Sequence, residues 1–380
     1  MKILDYISAF GISRKQASAV LVFVLIALFH PFLANDKYIM GKSEDGIQFF
    51  SDKEGSSFGI PALIPYAANS IDRENRSVGP FDKQNVSSLY HRHWLGTDSL
   101  GRDVLAGLIH GSFLALMIGL AASLLALLIG VIMAYISAYV GDDRFKLSRG
   151  HLIILIIAFL IAVFYFLYSE WITRVLIVIL FGALMYFLRY LTRKKPMSAR
   201  RIGVPFDIIV QRLIEIFRSI PALFLILILL PILGRPSYWN VIIIIGLIRW
   251  PVITRHLRGE IFNIKEENYI LAGRRVGLSD LHLYLRYVLP LTMSPIIIVT
   301  AFGFSSAILL ESTLSFLGIG VPLDQVTWGG ILKEARIDFS SWWLALFPGI
   351  CIYLLVYLFN AIGDSINEKL INSQVSINRN

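Results

Sequence analysis

NYILAGRRVGLSDLHLYLRYVLP, residues Asn268–Pro290, lies between two apolar runs that can each cross a bilayer. Its composition predicts a short helix, a break at Gly277, a second helix and a stop at Leu289-Pro290. Glycine admits backbone conformations closed to other residues, so Gly277 can set the angle between the two helices. Pro290 lacks an amide donor, which costs nothing at a helix start. Tyr269, Leu271, Ala272, Val276 and Leu278 can form an apolar edge flanked by Arg274 and Arg275, with Ala272 and Gly273 small enough for a partner's close approach. The bland alternative is a loop resting on lipid headgroups through its arginines.

The rest of the chain agrees with a membrane setting. Of its 380 residues 56% are hydrophobic and 16% charged, below the roughly 25% charge of soluble domains, and mean hydropathy is +0.68. The reading is an all-α polytopic membrane protein. The net charge of +9 comes from basic clusters between apolar runs, which fits the positive-inside bias better than nucleic-acid binding. The single cysteine, Cys351, excludes a disulfide framework within the chain.

Lys2, Arg14 and Lys15 precede an uncharged stretch, Gln16 to Asn35, long enough to span and too long for a signal-peptide core. An uncleaved anchor with a cytoplasmic N-terminus is expected. Further spans are expected near Phe113–Val140 (after an interfacial helix from Val104), Leu213–Leu233, Tyr238–Thr254, Val288–Leu310 and Trp343–Ile362. Arg255, Arg258, Lys265, Arg274, Arg275 and Arg286 place the 268–290 loop in the cytoplasm. Two more apolar runs, His151–Tyr168 and Trp171–Leu188, suit a hairpin with basic flanks, for eight spans and two cytoplasmic termini. A re-entrant pair is the alternative. The expected organisation is 1–35 tail and first span, 36–103 external segment, 104–141 with 206–366 transmembrane domain, 142–205 inserted hairpin, and 367–380 cytoplasmic tail.

Several segments together resemble a known family. The spacing of Leu271-Ala272-Gly273, Gly277, Tyr287 and Leu289-Pro290 is similar to the EAA loop of ABC-importer permeases, although one residue of the Glu-Ala-Ala triplet is retained. His93-Trp94-Leu95-Gly96-Thr97-Asp98-Ser99-Leu100-Gly101-Arg102-Asp103-Val104 resembles the H-x-L-G-T-D-x-x-G-R-D-V segment of C-type permeases from dipeptide and oligopeptide (peptide/nickel) importers. Glu311 followed by Leu314-Ser315-Phe316-Leu317-Gly318-Ile319-Gly320-Val321 is similar to E-x-x-L-S-F-L-G-x-G-V. Trp328-Gly329 and Trp343–Gly349 follow in the family's order. Arg212–Pro221 resembles the third-span entry, with Glu215 where aspartate is usual. The long segment after the first span and the 142–205 insertion depart from the family.

The resemblance implies a six-span type I importer permease core, to which this chain adds the hairpin, in a bacterial or archaeal cell membrane. It implies a second homologous permease, two ATP-binding subunits or domains, and an external solute-binding protein. Tyr269, Leu271, Ala272, Gly273, Arg274, Gly277, Leu289 and Pro290 would form the ATPase-coupling loop. Gly96, Thr97, Asp98, Gly101, Arg102, Asp103, Glu311, Ser315, Gly318, Trp328 and Gly329 would be structural. The chain would be no enzyme and hold no cofactor or metal, ATP being bound by the partner; no phosphate-binding G-x-x-x-x-G-K-[ST] occurs. Peptides are the expected cargo, with nickel chelates or peptide-like antibiotics as alternatives.

Other readings follow from the residues alone. An ion-coupled transporter would put ionisable groups at span centres, which are nearly free of acids here. His91, His93, Asp98 and Asp103 could suggest a metal site, but the surrounding glycines and Thr97-Asp98 favour a turn at a helix start. Glu311 is expected near the outer boundary as a cap or arginine partner, Glu215 and Arg218 as a structural pair, and Arg249 as a snorkelling residue near a span end. Trp171, Tyr238, Trp239, Trp342 and Trp343 are expected as interfacial belts.

Overall fold

A computed structural model describes residues 12–43, 46–52, 58–141, 146–148, 201–234, 236–322 and 324–377, with scattered positions between 158 and 187. The inserted hairpin expected over His151–Leu188, with Trp171, falls almost wholly outside the described residues.

Helix α1 (Arg14–Leu28) starts at a capping box in which Ser13 and Gln16 bond each other's amides. It stops earlier than expected, at Phe29, and α2 (His30–Leu33) follows as a separate turn. Pro31 is the cause: it has no amide for the Ala27 carbonyl, and the His30 ring nitrogen Nδ1 takes that bond instead at 2.7 Å.

Ahead of α3 lies a three-stranded antiparallel sheet, which the apolar pattern of the sequence does not announce. Strands β1 (Tyr38–Ser43), β2 (Gly46–Ser51) and β3 (Phe58–Pro61) lie in the order β2-β1-β3.

Helix α3 (Val104–Ala134) begins at Asp103, whose carboxylate accepts from the Ala106 amide at 2.7 Å. It runs unbroken into a π-helical turn, Tyr135–Val140, and ends at Gly141. No separate interfacial helix precedes the crossing, because no residue between the cap and Gly141 breaks the hydrogen-bond ladder. Its buried face is small: Ala115, Gly119, Ala122, Ala126, Gly130 and Ala134 recur at three- or four-residue spacing. Leu120, Leu124, Leu128 and Ile132 stay exposed on the opposite face, where lipid would lie. The small stripe lets neighbouring helices approach α3 closely.

Strands β4 (Lys146–Ser148) and β5 (Arg201–Gly203) pair antiparallel and close the base of the insertion. The single span expected at Leu213–Leu233 is two helices, α4 (Phe206–Ser219) and α5 (Ala222–Leu233), meeting at 97°. Pro221 forces Ile220 into an extended conformation, which ends α4. Helix α4 is amphipathic, burying Val210 and Ile214 against Trp250 and Met133 while Arg212 and Glu215 face out.

Helix α6 (Tyr238–Lys265) runs well past its expected end at Thr254. After the short helices of the 268–290 loop, α10 (Met293–Phe316) and α12 (Trp343–Ile377) complete the bundle, with α11 (Trp328–Ile337) between them. Among the described residues four helices are long and apolar enough to cross a membrane, and the α4–α5 pair could form a fifth crossing. Helices α3, α6 and α10 share the central core.

Candidate functional site

The 268–290 loop folds as helix α7 (Asn268–Arg275), helix α8 (Asp280–Leu283), a π turn (Tyr284–Val288) and helix α9 (Leu289–Leu291). Gly277 has φ +90° and nothing within 4 Å of where a Cβ would sit, so its requirement is conformational, as expected. Ser279 then caps α8, accepting from the His282 amide at 3.3 Å. Pro290 stands in the first turn of α9, where its missing amide leaves no gap.

Two faces of this loop differ sharply. Ile270, Leu283, Tyr284 and Val288 are buried in the core shared with α3 and α6. Tyr269, Val276, Leu278, Leu281, Leu285 and Tyr287 are exposed, Val276 at 83%. Leu271 and Leu289 are half-buried and Ala272 is exposed. Gly273 corrects one expectation. A Cβ there would come within 2.7 Å of the Leu283 side chain, so its smallness serves the packing of α7 on α8 and not the approach of a partner. Arg274 turns inward as well, 3.6 Å from Asp280 and 5.4 Å from the centre of the Tyr139 ring.

The loop is tied to the far end of α3. Tyr284 lies 4.7 Å from Tyr135 and 5.5 Å from Tyr139, ring to ring, and its hydroxyl reaches the Val131 carbonyl at 3.4 Å. Lys265 donates to the Ala138 carbonyl at 3.3 Å. Both π turns, Tyr135–Val140 and Tyr284–Val288, therefore meet at one junction. Such turns are rare and concentrate where helices are functionally irregular.

A second clamp is not legible in the sequence. Arg258 grips Asp207 with two bonds, 2.7 Å from Nε and 2.6 Å from Nη2, and Ser137 and Gln211 also donate to that carboxylate. It joins α4, α6 and the π turn of α3. In the sequence Arg258 marks only sidedness; Asp207, an acid at an amphipathic helix start, is the available signal. Glu215 pairs with Arg212 at 2.6 Å on the surface, and not with Arg218.

The opposite end of the bundle holds the 93–104 motif. The Asp98 carboxylate accepts from the Leu100 amide at 2.9 Å, the Arg102 amide at 2.8 Å and Arg102 Nε at 2.6 Å. Thr97 donates to the Asn75 carbonyl at 2.6 Å. Gly101 has φ +89°, and a Cβ there would collide with the Asp72 carbonyl oxygen. His93 is fully buried between Asp103, 2.9 Å from Nδ1, and Asp72, 3.3 Å from Nε2, with Tyr66 stacked on its ring. Burial alone would lower the imidazole, but hydrogen bonds and charge from Asp103 and Asp72 outweigh it and hold its pKa above the ordinary value. Burial would raise Asp72, yet bonds from Asn75, His93 and the Glu74 amide lower it. His91 instead contacts Ser88 at 3.0 Å. Among the described residues no His/Cys/Asp/Glu group is arranged to hold a metal.

Trp343 is buried, correcting its assignment to a belt, and its indole donates to the Thr97 carbonyl at 3.0 Å. Trp239 and Trp342 remain exposed. Trp328 donates to the Leu108 carbonyl at 2.9 Å, and Gly329 passes so close to Ser312 that a Cβ would collide with its carbonyl oxygen. Glu311 is buried within the protein. Because α10 continues to Phe316, the carboxylate is 1% exposed, accepting from Ser315 at 2.7 Å and Ser312 at 3.3 Å. Ser315 and Thr327 also line a cavity of about 210 Å³ with Asp98, Arg102, Lys333 and Glu334, while Gly318 turns at its rim. Arg249 does not snorkel: its Nε is buried.

The site is thus a bundle of long apolar helices that carries at one end a firmly anchored loop with an exposed apolar face. Residues 197–372 match the family of binding-protein-dependent transport system inner membrane components. The chain is 27% identical over 311 residues to the dipeptide transport system permease protein DppC of Alkalihalophilus pseudofirmus, covering 82% of this chain and 79% of that protein. It is 36% identical over 167 residues to a putative peptide transport system permease protein of Brucella suis, covering 43% and 56% respectively. A solved methionine ABC transporter, MetNI in inward facing conformations, aligns at TM-score 0.45 and 15% identity, covering 69% of this chain and 95% of that chain.

Proposed function

We propose that this chain is one of two permease subunits of an ABC importer for peptides, and that its 268–290 loop receives the motion of a partner ATPase in the cytoplasm. The observation that carries the coupling role is the loop's split character. One face is locked into the core by Ile270, Leu283, Tyr284 and Val288, and the other leaves Val276 and Leu281 bare. An apolar surface held that rigidly can pass on a push without deforming. The peptide cargo is supported by relatives named for dipeptide and peptide transport.

In this reading two ATP-binding subunits supply the energy, so the chain itself needs no cofactor and catalyses nothing. A second permease forms the other wall of the path. A solute-binding protein docks at the opposite end, where the 93–104 motif and the small sheet lie. Both termini are then cytoplasmic, and the 142–205 insertion is peripheral.

The test is co-purification of the tagged chain in mild detergent, followed by uptake of labelled di- and oligopeptides into vesicles bearing the recovered complex. Recovery of a second permease and an ATPase, with ATP-dependent peptide uptake, is expected. A chain recovered alone, or transport driven by an ion gradient without ATP, overturns the proposal.

A further inference from the structure

Arg249 stands roughly 16 Å along α6 from Tyr238, at ~1.5 Å per residue. Tyr238 and Trp239 mark the helix start, so the guanidinium is near the middle of a hydrocarbon layer of about 30 Å. A charge at that depth is costly unless it is paired or faces a polar space. Among the described residues Arg249 has neither a hydrogen-bond partner nor an ion-pair partner, and its Nε is buried.

Its surroundings point to a ligand from outside the chain. Arg249 lines a small cavity of about 10 Å³ between α3, α6 and α10, together with Ser123, Thr300 and Gly303. The Ser123 hydroxyl is also buried and also without a partner. Two unsatisfied polar groups thus share one space whose other walls include Ala122, Ala126 and Ala307. The cavity itself holds no more than a water, but Arg249 is only partly covered, so its remaining donors are open to a group arriving along the helix face. Guanidinium is the side chain best matched to a carboxylate, which it can hold with two parallel bonds. Glu311, the one buried acid of α10, is already engaged by Ser312 and Ser315.

We propose that Arg249 is a specificity-determining residue of the translocation path, binding the carboxylate of the transported substrate with Ser123 as a second donor. This rests on the peptide-importer reading. The same chemistry could be supplied by an acidic side chain of the second permease, and the experiment separates the two sources.

The complete transporter, reconstituted in vesicles with saturating binding protein, is assayed with a peptide and its C-terminal amide. The ratio of acid to amide rates is compared between wild type and R249Q, so that selection by the binding protein cancels. The expected result is a fall in that ratio of about tenfold or more in R249Q, the scale of a lost charged hydrogen bond. The amide rate should fall less than the acid rate, R249K should recover part of the acid rate, and S123A should lower the ratio less. Equal loss for both peptides, or no loss, overturns the inference. So does dissociation of the R249Q complex on size-exclusion chromatography, which would assign the carboxylate to the second permease. A wild-type complex that moves neither peptide defeats the peptide reading itself, whereas one that moves both with a ratio unaltered by R249Q defeats the Arg249 assignment alone.

Discussion

Val276 offers the most direct measurement of the loop's role. It follows α7, is 83% exposed and belongs to no core cluster of this chain. Truncation to alanine therefore should leave the free subunit's stability within about 0.5 kcal/mol of the original. If the loop is docked, the same change removes two methyl groups from an interface, and at ~0.8 kcal/mol per buried carbon the loss is about 1.6 kcal/mol. That corresponds to roughly 15-fold weaker association, since about 1.4 kcal/mol is tenfold. V276D adds the burial of a charge and should abolish binding. The assay is titration of the purified permease pair in nanodiscs with the ATPase, read by light scattering, with thermal denaturation of the same samples as control. Unchanged affinity for both variants would refute the docking argument. A large drop in melting temperature would refute the premise that Val276 is free of internal packing.

Four further outcomes follow from the geometry. G277A should strain the turn by about 1–2 kcal/mol, because its φ is +90°, lowering transport-coupled ATP hydrolysis more than subunit assembly; equal ATPase stimulation in both proteins would count against a rigid hinge there. D207N and R258Q should each destabilise by about 1–3 kcal/mol and be non-additive in a double-mutant cycle, as measured by denaturation; additivity would mean that the clamp is not coupled. The His93–Asp72 contribution has a definite pH window: the raised His93 stabilises fully below about 6.5 and loses this as pH rises through its folded value, while the lowered Asp72 stabilises above about 3.9 and loses this as pH falls further. Melting of the H93N variant should therefore change less with pH than that of the parent above about 6.5 and below about 3.9, and parallel curves would exclude the mechanism. Joining 148 to 201 through a short turn should preserve assembly, because β4 and β5 already pair at Lys146–Gly203 and Ser148–Arg201; loss of the complex would give the insertion a structural task.

Much of the fold is visible in the residues because each signal is local. Gly277, Pro290 and the Asp103 cap act within a turn of their own positions, and the apolar runs announce themselves by length. Segment ends are harder to read, since they depend on the steric demands of single residues. Pro31 ends α1 early and Pro221 splits an expected span at 97°, each by an effect that hydropathy does not register. Glu311 and Trp343 are expected at an interface and lie inside the protein for a related reason: their burial depends on α10 extending to Phe316 and on the Thr97 carbonyl reaching the indole. The Asp207–Arg258 clamp joins positions far apart in sequence, and nothing in either neighbourhood names the other. Gly273 shows its size in the sequence but not the Leu283 side chain that occupies the space beside it.

The uninterrupted helix from Val104 to Val140 is a single lever. At ~1.5 Å per residue it is about 55 Å long, so about 5° of tilt around its middle displaces each end by about 2.4 Å in opposite directions. One end is bolted by Asp103 to the His93 motif and the other by Tyr135 and Tyr139 to Tyr284. In the proposed importer, a rod fastened at both ends would not deliver a stroke to one mouth and leave the other still, so opening on one side and closing on the other would be a single mechanical event.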